Sequence, residues 1–125
     1  MVKTGRIGMY TKEGIVSVSI TRNACICNSG YYLSHIYNSV DKVAALIEGG
    51  DIIEFRSIDG EVIYENEKDN IPEISTATPS NTALDEYIKL CERDSVDYGY
   101  LFTEDEKWMI VAGFCVGELQ KKSID

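Results

Sequence analysis

The chain has 125 residues, of which 44% are hydrophobic and 26% are charged, a size and composition typical of one soluble domain with a single core. Its formal net charge of -9 disfavours binding to long nucleic acids, because a phosphate backbone is repelled at long range. The apolar runs are too short to cross a bilayer and the start lacks a signal-peptide core, so we expect one domain over residues 1–125, cytoplasmic and without a membrane partner.

The N-terminal part predicts a pair of short strands. Residues 6–20 contain a turn at 11–14, and the second strand alternates apolar with polar side chains, the pattern of a strand with one buried face, at Val16, Val18 and Ile20. The segment that follows, 21–28, is either a third short strand or a packed loop.

The middle of the chain predicts a helix followed by a hairpin. One or two helical turns at 31–37 precede a helix that begins near Val40, whose apolar stripe recurs at helical spacing and which Gly49 and Gly50 end. Strands at 51–57 and 61–67 flank an Asp-Gly turn, the strongest hairpin signal in the chain.

The C-terminal part predicts a surface loop, a second helix and a second hairpin. The loop covers 68–81, and Thr82 with Asp85 resembles a capping box at the start of a helix that runs to about Arg93. Strands follow at 97–103 and 107–112, and the polar tail 116–125 either frays or adds one helical turn. These elements predict an α+β fold, a small antiparallel sheet built from hairpins and packed against two α-helices.

Four cysteines occur, at Cys25, Cys27, Cys91 and Cys115. Their spacing does not match a zinc site, so no metal is predicted, and in a reducing cytosol buried thiols that act as small hydrophobes are expected. Cysteine catalysis by Cys27 with His35 is an unfavoured alternative because no third group is indicated that would orient the pair.

The sequence contains none of the common nucleotide-loop or nucleophile motifs, and we predict no catalytic residue and no cofactor. The notable feature is the aromatic content, because tyrosine combines a stacking surface with a hydroxyl group and suits a nucleotide or a protein partner. Phe102 and Trp108 are expected in the core, whereas Tyr31, Tyr32 and Tyr98 are either core residues or ligand contacts.

Two arginines extend this hypothesis. Arg22, beside Asn23, and Arg56 lie near predicted strand ends, where a guanidinium group is able to hold a phosphate with two hydrogen bonds. Ordinary surface salt bridges are the alternative. The predicted ligand-binding residues are therefore Arg22, Asn23, Tyr31, Tyr32, His35, Arg56 and Tyr98.

Two segments, LSHIYNSVDKVAALIEGGDI at 33–52 and YGYLFTEDEKW at 98–108, resemble a group of small uncharacterised proteins of phages and prophages. Those proteins carry Cys-His-Trp-Asp-Gly-Tyr-Pro before the helix. Residues 27–32 of this chain keep the Cys, Gly and Tyr and lack the His, Trp, Asp and Pro.

The resemblance implies a non-enzymatic counter-defence protein in the cytoplasm of an infected or lysogenic bacterial host. One mode resembles the Thoeris anti-defence sponges, which sequester a cyclic ADP-ribose-type signal between protomers, and it implies a small nucleotide ligand and a homo-oligomer. The other resembles anti-CRISPR-type inhibitors, in which an acidic surface imitates nucleic acid toward a host effector. The tyrosines and arginines favour the first mode.

Overall fold

The computed structural model describes residues 3–56, 61–65, 71–112 and 122–123. Three α-helices are present in these residues, α1 Tyr31–His35, α2 Val40–Glu48 and α3 Ala83–Arg93, and a π-helical turn, Ile26–Gly30, leads directly into α1. The strands are β1 Gly5–Thr11, β2 Gly14–Ile20, β3 Ile52–Phe55, β4 Val62–Tyr64, β5 Glu73–Ser75, β6 Tyr98–Phe102, β7 Trp108–Ala112 and β8 Lys122–Ser123.

The strands form one sheet in the order β4-β3-β2-β1-β6-β7-β8, and β5 also pairs with β2. Most pairs are antiparallel, including the three hairpin pairs β1/β2, β3/β4 and β6/β7. The pairs β1/β6 and β2/β3 are parallel, and both join segments that are distant in sequence. The predicted α+β class is confirmed, with these two parallel pairs added at the centre of the sheet.

One face of the sheet packs against α1, α2 and the π-helical turn. The alternation along β1, β2 and β6 places one set of side chains on this face, where the core includes Ile7, Val18, Ile20, Leu46, Tyr100 and Phe102. Trp108 is 1% exposed and its indole N–H donates to the carbonyl of Tyr37 at 2.8 Å. The prediction that Phe102 and Trp108 belong to the core is confirmed.

The opposite face packs against α3 through a second, smaller core. Its buried residues are Ile15, Tyr87, Cys91, Val96, Leu101, Val111 and Ala112. The Tyr87 hydroxyl donates to the carbonyl of Tyr100, so a polar group inside this core is satisfied by the sheet itself. The two predicted helices therefore lie on opposite faces of the sheet.

The helix ends follow the predicted chemistry. The capping box of α3 is present, since the Thr82 side chain accepts from the Asp85 amide at 3.1 Å and Asp85 accepts from the Thr82 amide at 3.0 Å. Helix α2 is capped by Ser39, and Gly50 takes the left-handed φ of 89°. Val40 is 47% exposed, so the buried stripe of α2 begins one turn later than its sequence pattern predicted.

The open choice at segment 21–28 is decided for the loop, and two other segments differ from expectation. Segment 21–28 is a loop followed by the start of the π-helical turn, because the carbonyl of Cys25 accepts hydrogen bonds from two later amides instead of from a strand. The predicted surface loop 68–81 contains β5, which pairs with β2, and the tail contains β8, which pairs with β7. The Asp-Gly turn at 59–60 and Cys115 lie outside the described residues.

None of the helices in the described part of the chain is both long enough and apolar enough to span a membrane.

Candidate functional site

The candidate site is built on the π-helical turn that joins β2 to α1. Asn23 lies three residues after the end of β2 and has a φ of 55°. Asn tolerates this left-handed conformation better than most residues. Its carbonyl accepts the Ser29 hydroxyl at 2.6 Å, and the Cys25 carbonyl accepts the amides of Asn28 and Gly30 at 3.1 and 3.2 Å. These bonds fold residues 24–30 into a compact turn, called the platform below, which is not part of a strand.

The platform rests on the tyrosines of β6. The Tyr100 hydroxyl donates to the carbonyl of Ala24, and burial raises the pKa of Tyr100 far above its usual value, so the phenol remains a hydrogen-bond donor. Tyr98 stacks on Tyr100 with ring centroids 6.1 Å apart. The predicted residue Tyr98 therefore lies beside Tyr100 on the sheet and does not line the groove described next.

A shallow groove of about 210 Å³ lies where the platform meets α1, lined by Ile26, Cys27, Gly30, Tyr31, Ser34 and His35. Tyr31 is 54% exposed, and its ring lies against the His35 ring with centroids 4.3 Å apart. These residues are one helical turn apart on α1, which brings their rings together on one helix face. The groove thus has an exposed aromatic wall beside hydroxyl and thiol groups.

Of the predicted site residues, Tyr31 and His35 line this groove. Tyr32 is only 6% exposed, and its ring stacks on Phe55 with centroids 6.0 Å apart. It also meets Tyr31 edge to face at 5.5 Å. Tyr32 therefore anchors α1 in the core and positions Tyr31.

The structure places Arg22 and Asn23 beside the platform, next to β3. The Asn23 side chain donates to Glu54 at 2.8 Å, and the Arg22 amide donates to the carbonyl of Ile53. Arg56 follows β3, where its amide donates to the carbonyl of Glu61. Both guanidinium groups belong to exposed residues and form no ion pair with any residue that the structure describes. The salt-bridge alternative is thus not seen among those residues.

The contact between Cys25 and Cys27 was missed in the sequence. Their sulfur atoms lie 3.0 Å apart, and Cys27 is exposed whereas Cys25 is half-buried. Burial is the main cause that raises the pKa of Cys25, and contact with the Cys27 side chain raises it further. Cys91 is buried as expected, but the expectation of buried thiols was wrong for Cys27. The C-x-C spacing was the only sign of this contact in the sequence. It was ambiguous, because two cysteines on one face of a β-strand have the same spacing.

Cys27 and His35, the unfavoured catalytic pair, line the same groove. The His35 ring packs on Tyr31, and within the described ranges no hydrogen bond joins it to Cys27.

A second polar cluster, centred on Arg6, was also missed. Arg6 is 3% exposed and donates to Ser17 at 2.9 Å, to Asp94 at 3.0 Å and to Glu73 at 3.1 Å. The nearby groove between β5 and α3 is larger, about 440 Å³, but lined by groups that are paired with each other, such as Lys89 with Glu86 and Arg93 with Glu73. Its charges are already neutralised, so the aromatic groove is the better candidate site.

No group of three or more His, Cys, Asp or Glu side chains is arranged to hold a metal ion within the described part of the chain. Comparisons with protein-family models, with curated proteins and with solved structures find no significant match.

Proposed function

We propose that this protein binds a small nucleotide signal of the cyclic ADP-ribose type in the aromatic groove and sequesters it without chemical conversion. The observation that carries the proposal is the exposed Tyr31 ring packed against His35 at the groove wall. An exposed and pre-positioned aromatic face offers a stacking surface to a nucleobase, and such stacking contributes about 1–3 kcal/mol per base.

The charged groups around the platform support an anionic ligand. The chain is strongly acidic overall, with a net charge of -9, yet Arg22 is exposed beside the platform and has no ion-pair partner in the described part of the chain. An exposed guanidinium group without an ion-pair partner is able to bind a phosphate at short range. The acidic surface repels long polyanions, which favours a small ligand over nucleic acid.

The size of the groove supports assembly of the binding site from more than one protomer. At about 210 Å³, the groove is smaller than the roughly 300–1,000 Å³ of pockets that enclose small molecules. A second copy of the chain placed over the Tyr31 face would enclose the ligand and exclude water. The proposal therefore includes a homo-oligomer, with native mass spectrometry as its direct measurement.

The resemblance of 33–52 and 98–108 to phage and prophage proteins supports a biological setting for this activity. We place it in the cytoplasm of an infected bacterium, where removal of a nucleotide signal would silence a host defence. Sequestration requires that the ligand be recovered unchanged, so chromatography of the released ligand after incubation tests the absence of turnover.

Thermal unfolding with a ligand panel tests the binding. A ligand present at 100 times its Kd stabilises the folded state by about 2.7 kcal/mol, so one of cyclic ADP-ribose, ADP-ribose or a cyclic mononucleotide should raise the Tm, whereas inorganic phosphate alone should not. Tyr31→Ala should leave the Tm of the free protein nearly unchanged and weaken binding roughly tenfold or more through lost stacking.

Ile74→Ala is the matched control, because Ile74 is 51% exposed, close to the 54% of Tyr31, but lies on β5 away from the groove. It should bind like the unmodified chain. Absence of a Tm shift with every panel member, or equal affinity of the Tyr31→Ala protein, would contradict the proposal.

A further inference from the structure

We infer that Cys25 and Cys27 form a redox-active pair that closes to an intramolecular disulfide by exchange with a low-molecular-weight disulfide of the glutathione class. The inference stands on the contact between the two sulfur atoms and does not depend on nucleotide binding. It assigns a reversible covalent modification to the wall of the aromatic groove.

The first supporting observation is proximity. The sulfur atoms are 3.0 Å apart in the thiol state, and a disulfide bond is about 2.05 Å long. The π-helical turn fixes this arrangement, because the Cys25 carbonyl accepts the amides of both Asn28 and Gly30. The two sulfur atoms therefore need to approach each other by about one ångström to form the bond.

The second observation is the difference in access between the two thiols. Cys27 is exposed on the groove wall, whereas Cys25 is half-buried. An external disulfide therefore reaches Cys27 first. The Cys27 thiolate attacks one sulfur of the glutathione disulfide, the external S–S bond breaks, one glutathione thiolate leaves and takes up a proton, and a mixed disulfide forms on Cys27.

The position of Cys25 then makes it the resolving thiol, because its sulfur already lies 3.0 Å from that of Cys27. Burial raises the pKa of Cys25, contact with the Cys27 side chain raises it further, and the amides of Asn28 and Cys27 act in the opposite direction. Burial thus lowers the thiolate fraction of Cys25, and the short distance between the two sulfur atoms offsets this by giving the thiolate that does form a high effective concentration at Cys27. That thiolate attacks the Cys27 sulfur and the second glutathione leaves. The dithiol has lost two electrons and two protons, and one glutathione disulfide has become two thiols.

The resulting bond closes a small ring across a single intervening residue. Strained and exposed disulfides are reduced more readily than structural ones, so we expect reduced glutathione to reverse the reaction. In a reducing compartment such pairs serve redox sensing more often than structure.

Peptide mapping tests the inference, because trypsin separates the cysteines. Peptide 23–42 contains Cys25 and Cys27, peptide 90–93 contains Cys91, and peptide 108–121 contains Cys115. The full-length protein is equilibrated with mixtures of oxidised and reduced glutathione, quenched in acid, alkylated, digested and analysed by mass spectrometry. With oxidised glutathione in excess, peptide 23–42 should lose two hydrogens and resist alkylation, and Cys91 should be unmodified because it is buried.

Two matched variants separate the roles of the thiols. Cys25→Ser should accumulate glutathione on Cys27 at least about tenfold above the unmodified chain, because the resolving thiol is missing. Cys27→Ser should carry little glutathione on the half-buried Cys25. Alkylation of both cysteines of the unmodified chain under oxidising conditions, or glutathione that persists on its Cys27, would overturn the inference.

Discussion

Arg6 is the one charged side chain buried among the residues that the structure describes. It reaches two carboxylates, on Glu73 and Asp94, and the hydroxyl of Ser17, so each of its three nitrogens has a partner. A buried guanidinium group requires such pairing because it cannot lose its proton. The cluster joins β1 to β2, β5 and the end of α3, and Arg6 is therefore a structural residue of the second core.

We expect Arg6→Met to lower the free energy of unfolding by about 2–4 kcal/mol, because it leaves the buried Ser17 hydroxyl and two carboxylates without this donor. Arg93→Met is the matched control, since Arg93 contacts the same Glu73 and Asp94 but its side chain is 57% exposed. It should change stability by less than about 1 kcal/mol. Urea unfolding of both variants measures the difference, and equal losses would show that the burial of Arg6 contributes nothing.

The sequence allowed some of the important residues to be predicted and others not. Tyr31 and His35 could be selected because their side chains are chemically distinctive and one helical turn apart, and they do meet. Arg6 could have been found from the hairpin register, since the turn pairs it with Ser19 and places it diagonally opposite Ser17. Its two carboxylate partners could not, because they come from segments 67 and 88 residues away.

At the scale of elements, β5 lies inside a predicted surface loop and, like β8 in the tail, is a strand that local patterns did not predict. It has three residues, follows a proline and lacks apolar alternation, yet it pairs with β2 at Ile15, Val16 and Ser17. The pairing depends on Gly14, whose φ is 143° and where an added Cβ would lie 2.2 Å from the Ser75 carbonyl oxygen. Only glycine permits this approach of the two backbones.

Gly14→Ala should therefore destabilise the protein by roughly 1–3 kcal/mol and release β5 from β2. Hydrogen exchange should accelerate at residues 15–17 and 73–75 relative to the rest of the sheet. Gly30→Ala is the control, because Gly30 has helical dihedral angles and an added Cβ would meet its nearest atom at 3.4 Å. Unchanged exchange at β5 in the Gly14→Ala protein would show that the strand pairing does not need this glycine.

Helices and hairpins were predictable from the sequence because their determinants are local. The capping box at Thr82 and the alternation in β2 each lie within a few residues. The parallel pairing of β1 with β6 has no local determinant. The hydrogen bond from the Tyr100 hydroxyl to the Ala24 carbonyl has none either. For this reason the class of the fold was available from the sequence, whereas the order of the strands and the shape of the groove were not.

At the scale of the whole molecule, the central strands belong to both cores. On β6, Tyr100 and Phe102 face α2 whereas Leu101 faces α3. Neither helical layer is able to keep its core if the central strands separate. The two cores should therefore unfold as one cooperative unit.

Two probes on opposite faces test this cooperativity in urea. Trp108 fluorescence reports the α2 face, and alkylation of Cys91, followed in peptide 90–93, reports the α3 face. Their midpoints should coincide, while the exposed Cys27 should be alkylated without urea. Alkylation of Cys91 at a clearly lower urea concentration than the fluorescence change would reveal independent unfolding of the α3 layer.

The position of β1 between β2 and β6 also has a consequence during synthesis on the ribosome. The β1/β2 hairpin is complete early, but the partner on the other side of β1 arrives late: the Thr4 amide bonds to Asp97, 93 residues further along the chain. At about 5–20 residues per second, translation takes roughly 5–20 s to supply that partner. During this interval the edge of β1 that later pairs with β6 has unpaired backbone groups, so we expect the nascent hairpin to bind chaperones that shield exposed strands.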